Sequence, residues 1–146
     1  MPMTILLLDG DTLPALAITR SLGSRGIPVV VASHQQNPIA GYSRYASSIL
    51  DYPNPLLAPD SFVHWLEDQL AGHQYQLVIP ATERTLVPIA RHFHNSSHYN
   101  RIAVPELDAL ETVLDKSRTA LLARQCNAPL PASWDIANIA ELRAAL

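Results

Sequence analysis

Three short polar segments, each directly after an apolar run, carry residue types able to bind a small molecule: Asp9-Gly10-Asp11, Ser33-His34 and Ala81-Thr82-Glu83-Arg84. The acids can hold cationic or hydroxyl groups, Thr82 can hydrogen-bond an anion, and Gly10 lets a backbone approach a ligand closely. The same residue types also cap turns and helices, so Asp9, Asp11 and Thr82 have a structural role equally open to them. A fourth candidate is Lys116, in the segment Leu114-Asp115-Lys116-Ser117-Arg118. It is the one lysine in a chain whose other nine basic residues are all arginine. A compact ammonium suits phosphate, although a lysine in the first turn of a helix opposes the helix dipole and is as readily a solvated residue.

The elements that position these segments are legible as runs and stripes. Residues 3–9, 27–33 and 76–80 are short runs, mostly apolar and partly β-branched, which predicts buried parallel strands. Between the first two, Ala15, Ile18 and Leu22 repeat at helical spacing, with Asp11 or Thr12 as cap, Pro14 in the first turn and Gly23 and Gly26 at the stop. Residues 34–45 form a loop punctuated by Pro and Gly, residues 47–52 a short edge strand, and residues 53–59 hold three prolines that forbid regular structure. Phe62, Trp65, Leu66, Gln69 and Leu70 then mark a helical stripe over 59–72. A helix capped by Thr82 buries Leu86, Ile89, Ala90 and Phe93, and residues 101–104 predict a last strand. Helices follow over Leu107, Leu110 and Leu114 and over 115–126. Alternating strands and helices predict an α/β, Rossmann-like open and mostly parallel sheet with helices on both faces.

At 146 residues the chain is long enough to bury one core, which the sequence places in residues 1–114. Residues 127–131 read as a boundary, with a strand expected near 133–135 and a helix over 136–146 that Asn138 caps and no residue stops. That unfinished helix predicts a fragment of a longer protein, its second domain beginning at 115–146. With 48% hydrophobic and 16% charged residues the chain is not of the disordered class, and a net charge of −3 argues against nucleic acid as a partner. No run approaches the roughly 20 apolar residues that span a bilayer, and one cysteine cannot build a disulfide framework. A cytoplasmic protein with small-molecule partners and no membrane partner is expected, and a homodimer is left open.

Two familiar readings of the strand ends fit poorly. A dinucleotide site needs G-x-G-x-x-G after the first strand, whereas this chain has Gly10-Asp11-Thr12-Leu13-Pro14-Ala15, with Asp11 set to repel a pyrophosphate. A phosphoacceptor domain of the receiver type could use Asp9, Asp11, Asp51 and Thr82, yet Val104-Pro105 stands where its lysine is needed. His92, His94 and His98 invite a metal, but His92 and His94 are two apart and diverge on a helix, so no metal site is expected. Cys126 is expected to be a small buried apolar residue, and Trp65 to pack in the core. Arg44, in Tyr42-Ser43-Arg44-Tyr45, could grip a carboxylate or tie the loop to the sheet edge.

The order Asp9-Gly10, Tyr42-Ser43-Arg44-Tyr45, Leu77-Val78-Ile79-Pro80-Ala81-Thr82-Glu83, Ala103-Val104-Pro105, Asp115-Lys116 and Asn127-Ala128-Pro129-Leu130-Pro131 resembles one family over essentially the whole chain. It is similar to the N-terminal pre-ATP-grasp domain, and the start of the central domain, of the ATP-grasp superfamily, nearest to the carbamoyl-phosphate-synthase-like carboxylate–amine ligases. The resemblance implies a full-length enzyme that uses ATP and Mg2+ to turn a carboxylate into an acyl phosphate for attack by an amine. It implies that Lys116 meets ATP phosphates and that Asp9, Gly10, Asp11, Thr82, Glu83 and Arg44 serve the carboxylate and amine substrates. The family's other ATP and magnesium residues belong beyond Leu146, so this chain holds no catalytic residue and is expected to be inactive alone. A non-catalytic small-molecule-binding or regulatory Rossmann-like module is the alternative.

Overall fold

A computed structural model describes residues 4–72, 75–131, 139 and 143. The chain divides into two compact units, Met1–Glu106 and Leu107–Leu146. The first holds an all-parallel sheet of β1 (Ile5–Leu7), β2 (Val29–Ser33), β3 (Ala46–Asp51) and β4 (Leu77–Ile79), in the order β3-β2-β1-β4. Its helices are α1 (Leu13–Gly23), α2 (Pro59–Ala71) and α3 (Glu83–Phe93); α4 (Leu107–Leu114) and α5 (Lys116–Gln125) belong to the second unit.

The two faces of the sheet are covered differently. Leu6, Leu8, Val30 and Val78 point to a layer built from Phe62, Leu66 and Leu70 of α2 and Ile89 and Phe93 of α3. Leu7, Val29 and Val31 point the other way, onto Ala15 of α1 and Ala40. Every residue of β1 and β2 is buried, as their unbroken apolar runs require, and each large side chain so buried stabilises the fold by roughly 1.5–3 kcal/mol. Ser47, Ser48 and Ile49 of β3 are exposed, which fits its place at the edge.

Local chemistry sets the element ends. Thr12, rather than Asp11, caps α1: its side chain accepts from the Ala15 amide, and Pro14 sits in the first turn. The strand expected over 101–104 is reduced to one bridge between Val78 and Ile102. Residues 99–101 are a 3-10 turn, the Val104 amide folds back onto the Ile102 carbonyl at 2.9 Å, and Pro105 has no N–H to extend a ladder. The expected strand at 133–135 and all but two residues of the expected helix over 136–146 lie outside the described residues. No helix among the described residues is long and apolar enough to cross a membrane.

Candidate functional site

The chain runs outward from β1 to β2 to β3, then crosses to β4 on the other side of β1. The strand order therefore reverses between β1 and β4, and the carboxyl ends of those strands are where open α/β sheets bind ligands. Asp9, one residue past Leu8, turns the chain there with a left-handed φ of 57°. That conformation is uncommon for any residue with a Cβ and is carried best by Asp and Asn. Asp9 is also 0% exposed, so its carboxylate must find its partners inside the protein.

It finds several. Oδ2 accepts from the Thr82 amide at 2.8 Å and from the Thr85 hydroxyl at 2.6 Å. Oδ1 accepts from Nε and an Nη of Arg84 at 3.2 and 3.1 Å. Tyr52, at the end of β3, reaches across β2: its hydroxyl accepts from the Asp9 amide at 3.1 Å and donates weakly to Oδ1 at 3.4 Å. Burial and the neighbouring Asp9 charge push the Tyr52 phenol far above its ordinary range, so it stays protonated. One carboxylate thereby joins the ends of β1, β3 and β4.

Arg84 continues the network. The nitrogen that reaches Asp9 also lies 2.8 and 2.9 Å from the two Asp11 oxygens, and Ser33 at the end of β2 donates to Asp11 at 2.8 Å. Burial works to raise the Asp11 carboxyl, but the Arg84 and Ser33 hydrogen bonds outweigh it and hold its pKa below the usual value. Burial likewise works against the Arg84 charge, and its two carboxylate partners more than restore it. The His34 ring, 7% exposed, places Nδ1 3.9 Å from Asp11 with no hydrogen-bond partner. Burial and then the Arg84 charge lower its pKa, which favours the neutral imidazole.

Beside this network, Pro80, Ala81, Thr82, Glu83, Arg84 and Leu86 line an open cleft of about 620 Å³. Thr82 occupies the cap position of α3, yet its side chain makes no capping bond. Its Oγ1 is buried without a partner, because the Thr82 amide, not its hydroxyl, is what Asp9 engages. An unpaired buried hydroxyl costs stability, so Thr82 lines the cleft with its Oγ1 turned away from solvent and unmet. With the exposed Glu83 and the Arg84–Asp11 pair alongside, this cleft can recognise a small polar molecule.

The six proposed substrate residues do not all meet. Asp9, Asp11, Thr82 and Glu83 share the carboxyl rim. Gly10 is there too, but its space is taken up by the protein: a Cβ would lie 2.5 Å from Val31 Cγ1 and 3.2 Å from Pro38. Arg44 precedes β3, so the six residues of that strand, roughly 20 Å at 3.3 Å each, separate it from the rim. There it donates to the hydroxyl of its neighbour Tyr45 at 2.7 Å and lies over that ring. Lys116 is the exposed first residue of α5, whose cap is Asp115, accepting from the Ser117 and Arg118 amides at 2.8 and 3.1 Å. Cys126 is exposed rather than buried, since α5, which it terminates, buries none of its residues. His92 pairs with Glu67 at 2.8 Å, and no group of three metal-ligating side chains occurs among the described residues. Sequence reasoning passed over Tyr52, Thr85 and the linking role of Arg84.

No family model matches the chain, and no curated protein sequence does. Solved structures do match its fold. A biotin carboxylase domain of a single-chain bacterial carboxylase superposes with a TM-score of 0.66 at 21% identity, covering 99% of this chain and 33% of that one. The L-amino acid ligase from Bacillus licheniformis gives 0.70 at 11%, covering 95% and 34%. N5-carboxyaminoimidazole ribonucleotide synthetase from Thermotoga maritima gives 0.66 at 15%, covering 97% and 36%. The chain thus spans about a third of the length of each structure. It shares the fold of the part of each structure that it covers, a parallel α/β sheet flanked by helices.

Proposed function

We propose that the chain is the N-terminal substrate-binding domain, with the beginning of the central domain, of an ATP-dependent carboxylate–amine ligase. The observation that carries this reading is the cleft lined by Thr82, Glu83 and Arg84 at the strand-order reversal of an ATP-grasp-type fold. Thr82, Glu83 and Asp11 would hold the non-nucleotide substrate, a small carboxylate or amine. Asp9 and Arg84 act through them, as positioning residues that fix the Thr82 amide and the Asp11 carboxylate.

ATP would supply the phosphoryl group that activates the carboxylate. Lys116 fits a contact to its phosphates, being exposed at the start of a helix whose other first-turn amides are taken by Asp115. Among the described residues no group of three metal-ligating side chains occurs, and Mg2+ would accompany the ATP in the full-length enzyme. The chain by itself binds without catalysing.

Phosphate release from the longer polypeptide that contains this chain tests the reading, using a panel of small carboxylates and amines. Release should require both ATP and a carboxylate. Lys116→Ala should slow it by about tenfold, the scale of one charge-assisted contact. Thr82→Val should raise KM for the carboxylate or the amine. Carboxylate-independent ATP hydrolysis, or robust turnover by residues 1–146 alone, would overturn it.

A further inference from the structure

A second and larger cleft, of about 770 Å³, opens on the α2–α3 side of the sheet, a volume within the range of small-molecule sites. Its floor is apolar: Pro55, Leu56 and Pro59 ahead of and at the start of α2, Val63 one turn on, and Val87 and Pro88 of α3. On α3, Arg84, Val87, Pro88 and Arg91 recur at helical spacing, so one face of that helix supplies the wall and both cationic side chains. Pro88 has no N–H to offer the Arg84 carbonyl, which leaves a backbone acceptor of this face without its helical partner.

The charges along the cleft are not equivalent. Arg84 is committed to Asp9 and Asp11, and His92 to Glu67. Asp60 and Glu83 stand in the first turns of α2 and α3, where an acid complements the helix dipole. Arg91 has no ion-pair partner among the described residues, and it lies seven residues, about 10 Å, along α3 from Arg84. An apolar trough ending at an uncommitted guanidinium fits an aliphatic chain that ends in a carboxylate.

We propose that the α2–α3 cleft binds an aliphatic monocarboxylate, its carboxylate on Arg91 and its hydrocarbon body along Val63, Val87 and Pro88. Glu83 and Arg84 also border the strand-end cleft, so the bound chain lies next to the rim without occupying it. The assignment does not depend on the ligase reading, because no residue it invokes contacts a nucleotide there.

Octanoate is the probe, titrated into the 146-residue chain and followed by methyl chemical shifts and calorimetry. Binding with shifts centred on Val63 and Val87 supports the site. Arg91→Gln should weaken octanoate about tenfold, since Arg91 is exposed and its loss should not touch the fold. Val87→Asp should abolish binding, with circular dichroism confirming that α3 persists. Equal affinity for octylammonium, unchanged binding in Arg91→Gln, shifts confined to other residues, or no binding at all would each overturn the proposal.

Discussion

The carboxyl rim of the sheet and the start of α5 use the same charge types in opposite surroundings. At the rim, Asp9 and Asp11 meet Arg84 within 3.2 Å, and each acid has at least one further donor. At α5, Asp115 and Arg118 are 3.9 Å apart and both half exposed, and Lys116 beside them is exposed. A buried charge that loses its partner keeps its desolvation cost, whereas an exposed one recovers water. The rim is therefore architecture as much as site, and α5 presents charges whose partners can be exchanged.

Substitutions can break that contrast. Asp9→Ala should cost about 3–5 kcal/mol in urea denaturation, because Thr85, Tyr52, the Thr82 amide and Arg84 lose an acceptor together. An effect under about 1 kcal/mol would mean the rim is wetter than its burial indicates. Gly10→Ala should cost about 1–3 kcal/mol by driving a methyl into Val31, again read from denaturation midpoints. At the other region, Asp115→Ala should cost about 1 kcal/mol, seen as faster amide exchange in the first turn of α5.

Acid sharpens the same comparison. Asp11 has a depressed folded pKa, so its contribution is complete above the unfolded value of about 4 and is lost as pH falls through the lower folded one. His34 is also depressed, so the unfolded chain takes up its proton first. The His34 contribution should therefore decline as pH drops below about 6.5. His64, whose pKa its bond to the Asp60 carbonyl raises, works the other way, so His34→Gln should make stability fall less on acidification than in the parent chain. Smallest of all, Lys116→Ala should move the denaturation midpoint by an amount equivalent to less than about 0.5 kcal/mol.

The elements were readable because they are local. Residues 27–33 are mostly apolar and partly β-branched, and Val29–Ser33 within them became a strand buried on both faces. The helical stripe of Phe62, Leu66 and Leu70 became the cover of one face. The rim segments were also visible, since an acid and glycine after an apolar run mark a strand end. Their wiring was not. Tyr52 is 43 residues from Asp9 and reads only as the last residue of an edge strand, and Arg84 is 75 residues away. Nothing in spacing says that an arginine one residue past a helix start folds back onto two acids. Residues 101–104 failed as a strand for a local reason, the turn at Val104 before Pro105, which apolar content alone does not disclose.

Tyr52 also touches the indole of Trp65, with ring centroids 5.3 Å apart. Its phenol holds the end of β1 through the Asp9 amide. In a Trp134→Phe background, Trp65 emission would therefore give an intrinsic optical gauge of the rim. A solute that reorganised the strand ends would change the colour or yield of that fluorescence, with no label attached to the protein.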